Sequence, residues 1–277
     1  MVSTNADTPL DRPDLNDETR DIWNAKADFW DERMGEGNAF HRQLVGPAAE
    51  RLLDVQPGET ILDIACGNGQ FTRRMADLGA RVSATDFSER FLDRARSRSA
   101  AYADRIEYRQ VDATDAEALA ALGNQRFDAI VCLMALMDMT TIEPLMATIP
   151  HLLKPGGRFV FVIQHPCFNS NGVSMVSELI DDGGEEHVTH SLKLSRYLTL
   201  PPGKGMGMPG EPAAHYYFHR PLHAVLGTAF RHGLVMDGID EPAFPEPDEP
   251  RPFSWLTYSD IPPVFAARLR ATTSFQP

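Results

Sequence analysis

The stretch TILDIACGNGQF (60–71) decides how this 277-residue chain folds. Thr60–Ala65 carries the aliphatic and β-branched side chains of a buried strand. Gly67-Asn68-Gly69 then makes a turn in which glycine lets a ligand approach the backbone closely. Phe71–Leu78 follows with helical periodicity, closed by Gly79. A strand, a glycine turn and a helix in that order open a nucleotide-type βα unit.

Working outward, the alternation repeats. Arg81–Asp86 reads as a second strand, and Ser88 as the N-cap of a helix running to about Arg98. Ile106–Val111 is a third strand, Ala116–Leu122 a short helix, Asp128–Met134 a fourth strand and Glu143–Leu153 a helix. Arg158–Gln164 is a fifth strand, introduced by the turn Lys154-Pro155-Gly156-Gly157. Five β-units joined through helices require a parallel, doubly wound α/β sheet. Beyond it, Leu222–Phe230 has helical spacing, and Leu234–Ile239 and Val264–Ala271 supply two more strands. The organisation expected is a disordered tail (1–18), an N-terminal helical cap (19–53), a core (54–164), an acceptor-side insertion or lid (165–220) and a C-terminal part of the sheet (221–277). Within the insertion, Pro201–Gly210 (PPGKGMGMPG) reads as a mobile stretch.

Bulk properties narrow the partners. A hydrophobic content of 43% suffices for a sizeable core. The longest apolar run, Ala129–Met137, falls well short of the roughly 20 residues that cross a bilayer. The polar, acidic start lacks the pattern of a signal peptide, so a cytoplasmic protein without a membrane partner is expected, as a monomer or homodimer. Three cysteines without CxxC pairing read as free thiols. A net charge of −13 and the absence of an aromatic-basic stripe disfavour nucleic acid.

The ligand of the glycine turn is chosen by charge. Asp86, at the end of the second strand, can accept hydrogen bonds from both ribose hydroxyls of an adenosine. Dinucleotide sites want a third glycine where this chain has Thr72. Asp63 also stands beside the loop, where a pyrophosphate would meet like-charge repulsion on the order of several kcal/mol. A ligand carrying a sulfonium and an ammonium would instead be attracted.

LDIACGNGQF, ATDFS (84–88), VDA (111–113) and LKPGG (153–157), in this order, resemble the class I S-adenosylmethionine-dependent methyltransferase family. The resemblance is strong over Thr60–Gly157 and extends by pattern through Leu222–Ala271. It implies a Rossmann-like, seven-stranded, mostly parallel sheet with one antiparallel strand, and S-adenosyl-L-methionine as the cofactor. By matching position, it implies that Asp63 lies near the methionine amino group, with Gly67 and Gly69 under the donor. Asp86 would hold the ribose and Phe87 would stack beside the adenine. Asp112 would accept from the adenine amino group, Ala113 would offer a backbone contact, and Leu133 would line the donor pocket. Cys66, inside the loop, reads as a small packing residue rather than a reactive thiol.

Ligands of such a sheet lie beyond the carboxyl ends of its strands. The acceptor should therefore meet Met134–Thr141, Gln164–Asn169 and His215–Pro221, with Phe29, Trp30 and Arg33 as cap contacts and several methionines (134, 137, 139, 175, 206 and 208) lining an adaptable cavity. His165 and His219 are the candidate catalytic residues, since an imidazole titrates near neutrality and could take a proton from an acceptor hydroxyl or amine. Asp138 reads as a helix-capping acid. The spacing of His215, His219 and His223 would suit a metal on a helix, but Pro221 interrupts it, so no metal site is expected. Methyl transfer is an in-line displacement in which positioning alone can supply roughly 7–11 kcal/mol.

The function expected is transfer of a methyl group to an O, N or C atom of a small-molecule acceptor. The alternatives are a nucleic-acid or protein methyltransferase, an NAD-type oxidoreductase, or a noncatalytic donor-binding module. Amino-methylating DNA enzymes resemble one another in an Asn/Asp-Pro-Pro-aromatic run after strand four, which Met134–Asp138 lacks.

Overall fold

The computed structural model describes residues 10–249 and 251–272. In chain order it contains α1 (Asn16–Met34), α2 (Gly46–Leu53), β1 (Thr60–Ile64), α3 (Gln70–Asp77), β2 (Arg81–Asp86), α4 (Glu89–Arg98), β3 (Ile106–Gln110), α5 (Ala116–Ala120), β4 (Phe127–Leu133), α6 (Glu143–Leu152) and β5 (Leu153–Gln164). There follow β6 (Val173–Asp182), β7 (Glu185–Leu194), β8 (Gly203–Gly205), β9 (His215–Tyr217), α7 (Leu222–Arg231), β10 (Leu234–Asp240) and β11 (Val264–Ala271).

Seven strands form one sheet in the order β10-β11-β5-β4-β1-β2-β3. β1 to β5 pair in parallel, and β11 runs antiparallel to both of its neighbours. The chain moves outward from β1 to β3 and then returns to β4 on the other side of β1. That reversal opens a crevice at the carboxyl ends of β1 and β4, where ligands of open α/β sheets bind.

Alternation along the strands feeds two cores. Leu62 and Ile64 of β1, with Ile130 and Cys132 of β4, face α6 and α7, where Leu145, Ile149 and Val225 are buried. Ile61, Ala129 and Val131 face the opposite way, onto Leu52 and Leu53 of α2 and Phe71, Met75 and Ala76 of α3. Ser88 caps α4 as its position predicts, its Oγ accepting from the Phe91 amide at 3.3 Å. Among the described residues no helix is long and apolar enough to cross a membrane.

Three expectations change. Residues 1–9 of the expected disordered tail lie outside the described residues, but residues 10–18 are ordered. A 3₁₀ turn at Pro13–Leu15 leads into α1. The Arg12 amide donates to the Thr140 carbonyl (2.8 Å) and Asp11 pairs with Arg220 (2.7 Å), so long-range partners offset the low apolar content. Second, the insertion holds a ten-pair antiparallel hairpin, β6–β7, which half-buried alternation without a core face does not announce. Third, the glycine-proline stretch 201–210 is pinned, because β8 pairs with β9 and Lys204 meets Glu18 at 2.6 Å.

Candidate functional site

β1 ends at Ile64, and the chain turns sharply at Ala65, which takes a left-handed φ of 55°. Met134, just past β4, does the same at 53°. Such conformations are rare for residues with a Cβ and cluster at ligand sites. Both residues line one cleft at the β1/β4 switch point, a space of about 1160 Å³ counting its solvent-open mouth.

Seven of the expected donor residues line this cleft: Asp63, Gly67, Asp86, Phe87, Asp112, Ala113 and Leu133. Gly69 does not. It sits at φ 74° with the Tyr108 hydroxyl packed where a Cβ would project, so its bareness serves the loop's fit onto β3. Asp63 is buried, and its Oδ2 accepts from Thr72 Oγ1 at 2.6 Å. This explains why threonine stands at the position of the absent third glycine. Asp86 accepts from the Gly67 amide (3.0 Å) and the Ser88 amide (2.9 Å), which ties the glycine turn to β2. Burial pushes Asp63 up to about 7 and Asp86 up to about 6, the hydrogen bonds only partly opposing it. Asp112 accepts from Asn16 Nδ2 (2.7 Å) and from the Thr114 amide and hydroxyl (2.8 and 2.7 Å).

Asn16 belongs to α1, which runs as a strap across the cleft. Its C-terminal end holds the glycine loop: Asn68 Nδ2 donates to Asp31 Oδ1 (3.1 Å) and to the Gly35 carbonyl (3.2 Å). Arg73 bridges the Asn68 carbonyl and Glu36, each at 2.9 Å. Between these ends Trp23 and Trp30 face the cleft, their ring centroids 5.3 Å apart.

Five buried side-chain polar atoms lack a hydrogen-bond partner among the described residues, and four of them belong to residues lining this cleft: Trp30 Nε1, His41 Nδ1, Gln70 Oε1 and Asp138 Oδ1. Unpaired buried polar atoms are costly and rare, so four on the residues that line one cavity point to a polar ligand there. Burial lowers His41 to about 4, which leaves a neutral imidazole there. The ligand they suit has both donors and acceptors and carries positive charge, because the buried carboxylic acids Asp63 and Asp86 have no cationic partner among the described residues.

The two candidate catalytic histidines are elsewhere, a correction to the expectation. His165 is 1% exposed; its Nδ1 accepts from the Cys167 amide (3.1 Å) and its Nε2 faces Glu241 (2.8 Å). Both ring nitrogens are thus spent tying the insertion to the sheet edge. His219 gives Nε2 to the Tyr197 carbonyl (2.6 Å) and lines a separate, smaller cavity with Met137. Burial lowers both histidines below the usual imidazole range. Of the methionines expected to line an acceptor cavity, 134 and 139 line the main cleft, and Met34 of α1 joins them.

Sequence reading passed over a buried polar cluster behind Trp23 and Trp30. Lys26, on the same helix, is fully buried and pairs with Glu211 of the insertion at 2.8 Å. Its ammonium also meets His215 Nδ1 and lies over the Trp23 ring at 4.6 Å. One signal was present: Trp23, Lys26, Ala27 and Trp30 share one helical stripe, and a lysine inside an apolar stripe requires a partner. Nothing local could show that the partner lies 185 residues away at Glu211.

A family profile described as Methyltransferase domain matches residues 61–157. The ubiquinone biosynthesis O-methyltransferase of Stutzerimonas stutzeri (strain A1501) is 30% identical over 177 residues, 61% of this chain and 72% of that protein. The demethylmenaquinone methyltransferase of Clavibacter sepedonicus is 36% identical over 118 residues, 43% of this chain and 46% of that protein. In fold, the chain is similar to an S-adenosylmethionine dependent methyltransferase from Mesorhizobium loti, with a TM-score of 0.59 at 24% identity over 81% of this chain and 96% of that one.

Proposed function

The chain belongs to the class I S-adenosylmethionine-dependent methyltransferase family, and from that premise we propose that it methylates a hydroxyl on the aromatic or quinol ring of a small acceptor. The observation that carries the reading is a cleft lined by buried Asp63 and Asp86 together with four residues that each hold an unpartnered buried polar atom. The ring preference is supported by Trp23, Trp30 and Met139 along the same cleft and by the relatives' names. The bound donor supplies a methyl group on a positively charged sulfur, open to in-line displacement.

The chain's own residues supply the rest. Asp86 would accept from the ribose hydroxyls with the lone pairs its two amide donors leave free, and Phe87 and Ala113 would flank the adenine. Asp112, already oriented by Asn16, would receive the adenine amino group. Asp63 and Gln70 Oε1 would face the ammonium, and Trp30 Nε1 would donate to the carboxylate. α1 excludes water and holds the acceptor ring against the methyl, which is where most of the rate arises. We place the reaction in the cytoplasm, with a small molecule rather than a nucleic acid as acceptor, and with one chain or a homodimer as the working unit.

Titration calorimetry tests the donor assignment: S-adenosylmethionine binds and NAD does not, and Asp86→Ala weakens the donor at least tenfold. Tight NAD binding without donor binding would sink the reading. Incubation with labelled donor and a panel of catechols and quinols tests the acceptor, and mass spectrometry of the product separates oxygen from ring-carbon methylation. Donor binding with no turnover on any acceptor, in the panel or in a metabolite extract, would point to a noncatalytic module.

A further inference from the structure

We propose that Asp138 is the proton acceptor of the cleft, ionised while a sulfonium lies beside it and protonated once that charge is gone. The inference rests on the reading above that S-adenosylmethionine occupies the cleft.

Asp138 stands in the turn after β4, its amide donating to the Ala135 carbonyl at 2.8 Å. It lines the same cleft as Leu133, Met134 and Met139, and its side chain is 14% exposed. Oδ1 is buried and accepts no hydrogen bond. The expected role, capping the next helix, is absent: α6 begins at Glu143, and its first turn uses Thr141 Oγ1 instead.

The groups facing Asp138 come from four segments: Lys26 of α1, Glu211 of the insertion, His215 and Tyr217 of β9, and Cys132 of β4. Lys26 and Glu211 neutralise each other at 2.8 Å. The Lys26 ammonium can only donate, so His215 Nδ1 accepts from it and the imidazole proton sits on Nε2. Nε2 lies 4.0 Å from Asp138 Oδ1, which turns a dipole toward the carboxyl without supplying a charge. Burial, with Lys26 beside it, holds His215 neutral at about 4. Asp138 is therefore a buried carboxyl whose one nearby cation among the described residues, Lys26, is already spent on Glu211. Burial holds it protonated well above the ordinary carboxylate range.

A ligand cation in the cleft reverses that balance, since an opposite charge within a few ångströms favours the carboxylate. Asp138 then gives up its proton as the donor binds. In the reaction the acceptor oxygen forms its bond to the methyl carbon, and the S–CH₃ bond breaks with its electron pair staying on sulfur. The acceptor hydroxyl proton passes to Asp138. The cleft holds a sulfonium and a carboxylate before the step, and a thioether and a carboxylic acid after it. Neither side of the reaction leaves a lone charge buried.

Calorimetry in buffers of different ionisation enthalpy counts the protons released on binding. S-adenosylmethionine should release about one more proton than S-adenosylhomocysteine near neutral pH, because only the former carries the sulfonium. In Asp138→Asn both ligands still bind and the difference disappears. A difference that persists in Asp138→Asn overturns the proposal and assigns the proton to Asp63 or Asp86. A wild-type protein that binds both ligands with equal proton release overturns it without any variant. Infrared difference spectra of the two wild-type complexes provide a second readout, in which a protonated-carboxyl stretch present with S-adenosylhomocysteine is missing with S-adenosylmethionine. If neither ligand binds, the donor reading itself fails.

Discussion

Gly67 and Gly69 both adopt left-handed backbone, at φ 55° and 74°, yet they answer to different neighbours. Nothing lies within 4 Å of where a Gly67 Cβ would project, and the residue lines the cleft. Gly67→Ala should therefore cost only about 1 kcal/mol of backbone strain while obstructing the donor, read as a loss of affinity with a nearly normal melting temperature. Gly69→Ala drives a methyl into the Tyr108 hydroxyl and should cost about 2–3 kcal/mol, with Tyr108→Phe restoring part of it in the double variant. Equal stability losses from the two single changes would refute this division. Asp63 adds a pH effect. Burial raises it from 3.8 to about 7, so the folded protein holds this proton more tightly than the unfolded chain. The associated stability is complete below about pH 4 and disappears as pH rises through 7. Asp63→Asn should be more stable than the ligand-free wild type at pH 8, on the order of a few kcal/mol, and no more stable near pH 4. Urea unfolding at the two pH values checks this.

α1 takes part in both structure and site. Its N-terminal end is tied to Asp112 and its C-terminal end to the glycine loop, while Lys26 joins it to the insertion through Glu211. Lys26→Met leaves Glu211 buried without a counter-charge and should destabilise by about 3–5 kcal/mol. Adding Glu211→Gln should regain most of that loss, since the Met208 amide keeps an acceptor there. A double variant as unstable as the single one would show that the pair itself, and not the orphaned charge, matters. The helix was legible from its periodicity, although its start at Asn16 was not. The residues before it are ordered by partners more than a hundred positions away, at Thr140 and Arg220.

Across the whole molecule, stability is concentrated in the seven-stranded sheet and its two cores, and the β6–β7 hairpin stands apart. Residues 179–188 at its tip are all exposed, including Leu179 and Val188. Replacing them with an Asn-Gly turn between the cross-strand partners Glu178 and Thr189 should change stability by less than about 1 kcal/mol and leave donor affinity unchanged. A large loss of affinity would show that the hairpin closes over the cleft. The parallel, doubly wound character of the sheet followed from the alternation of strands and helices, whereas the order of its strands came from the pairing itself. By itself the sequence determined the parallel sheet, the glycine turn and the acids at successive strand ends, since these depend on local spacing and on the sign of a charge. Only the tertiary structure decided that both ring nitrogens of His165 are spent on structural hydrogen bonds, that His219 binds the Tyr197 carbonyl away from the main cleft, and that Lys26, Glu211 and His215 meet beside Asp138 at the cleft wall. Burial and pairing across distant segments are set by packing, and it is packing that decides whether a titratable side chain is free to react.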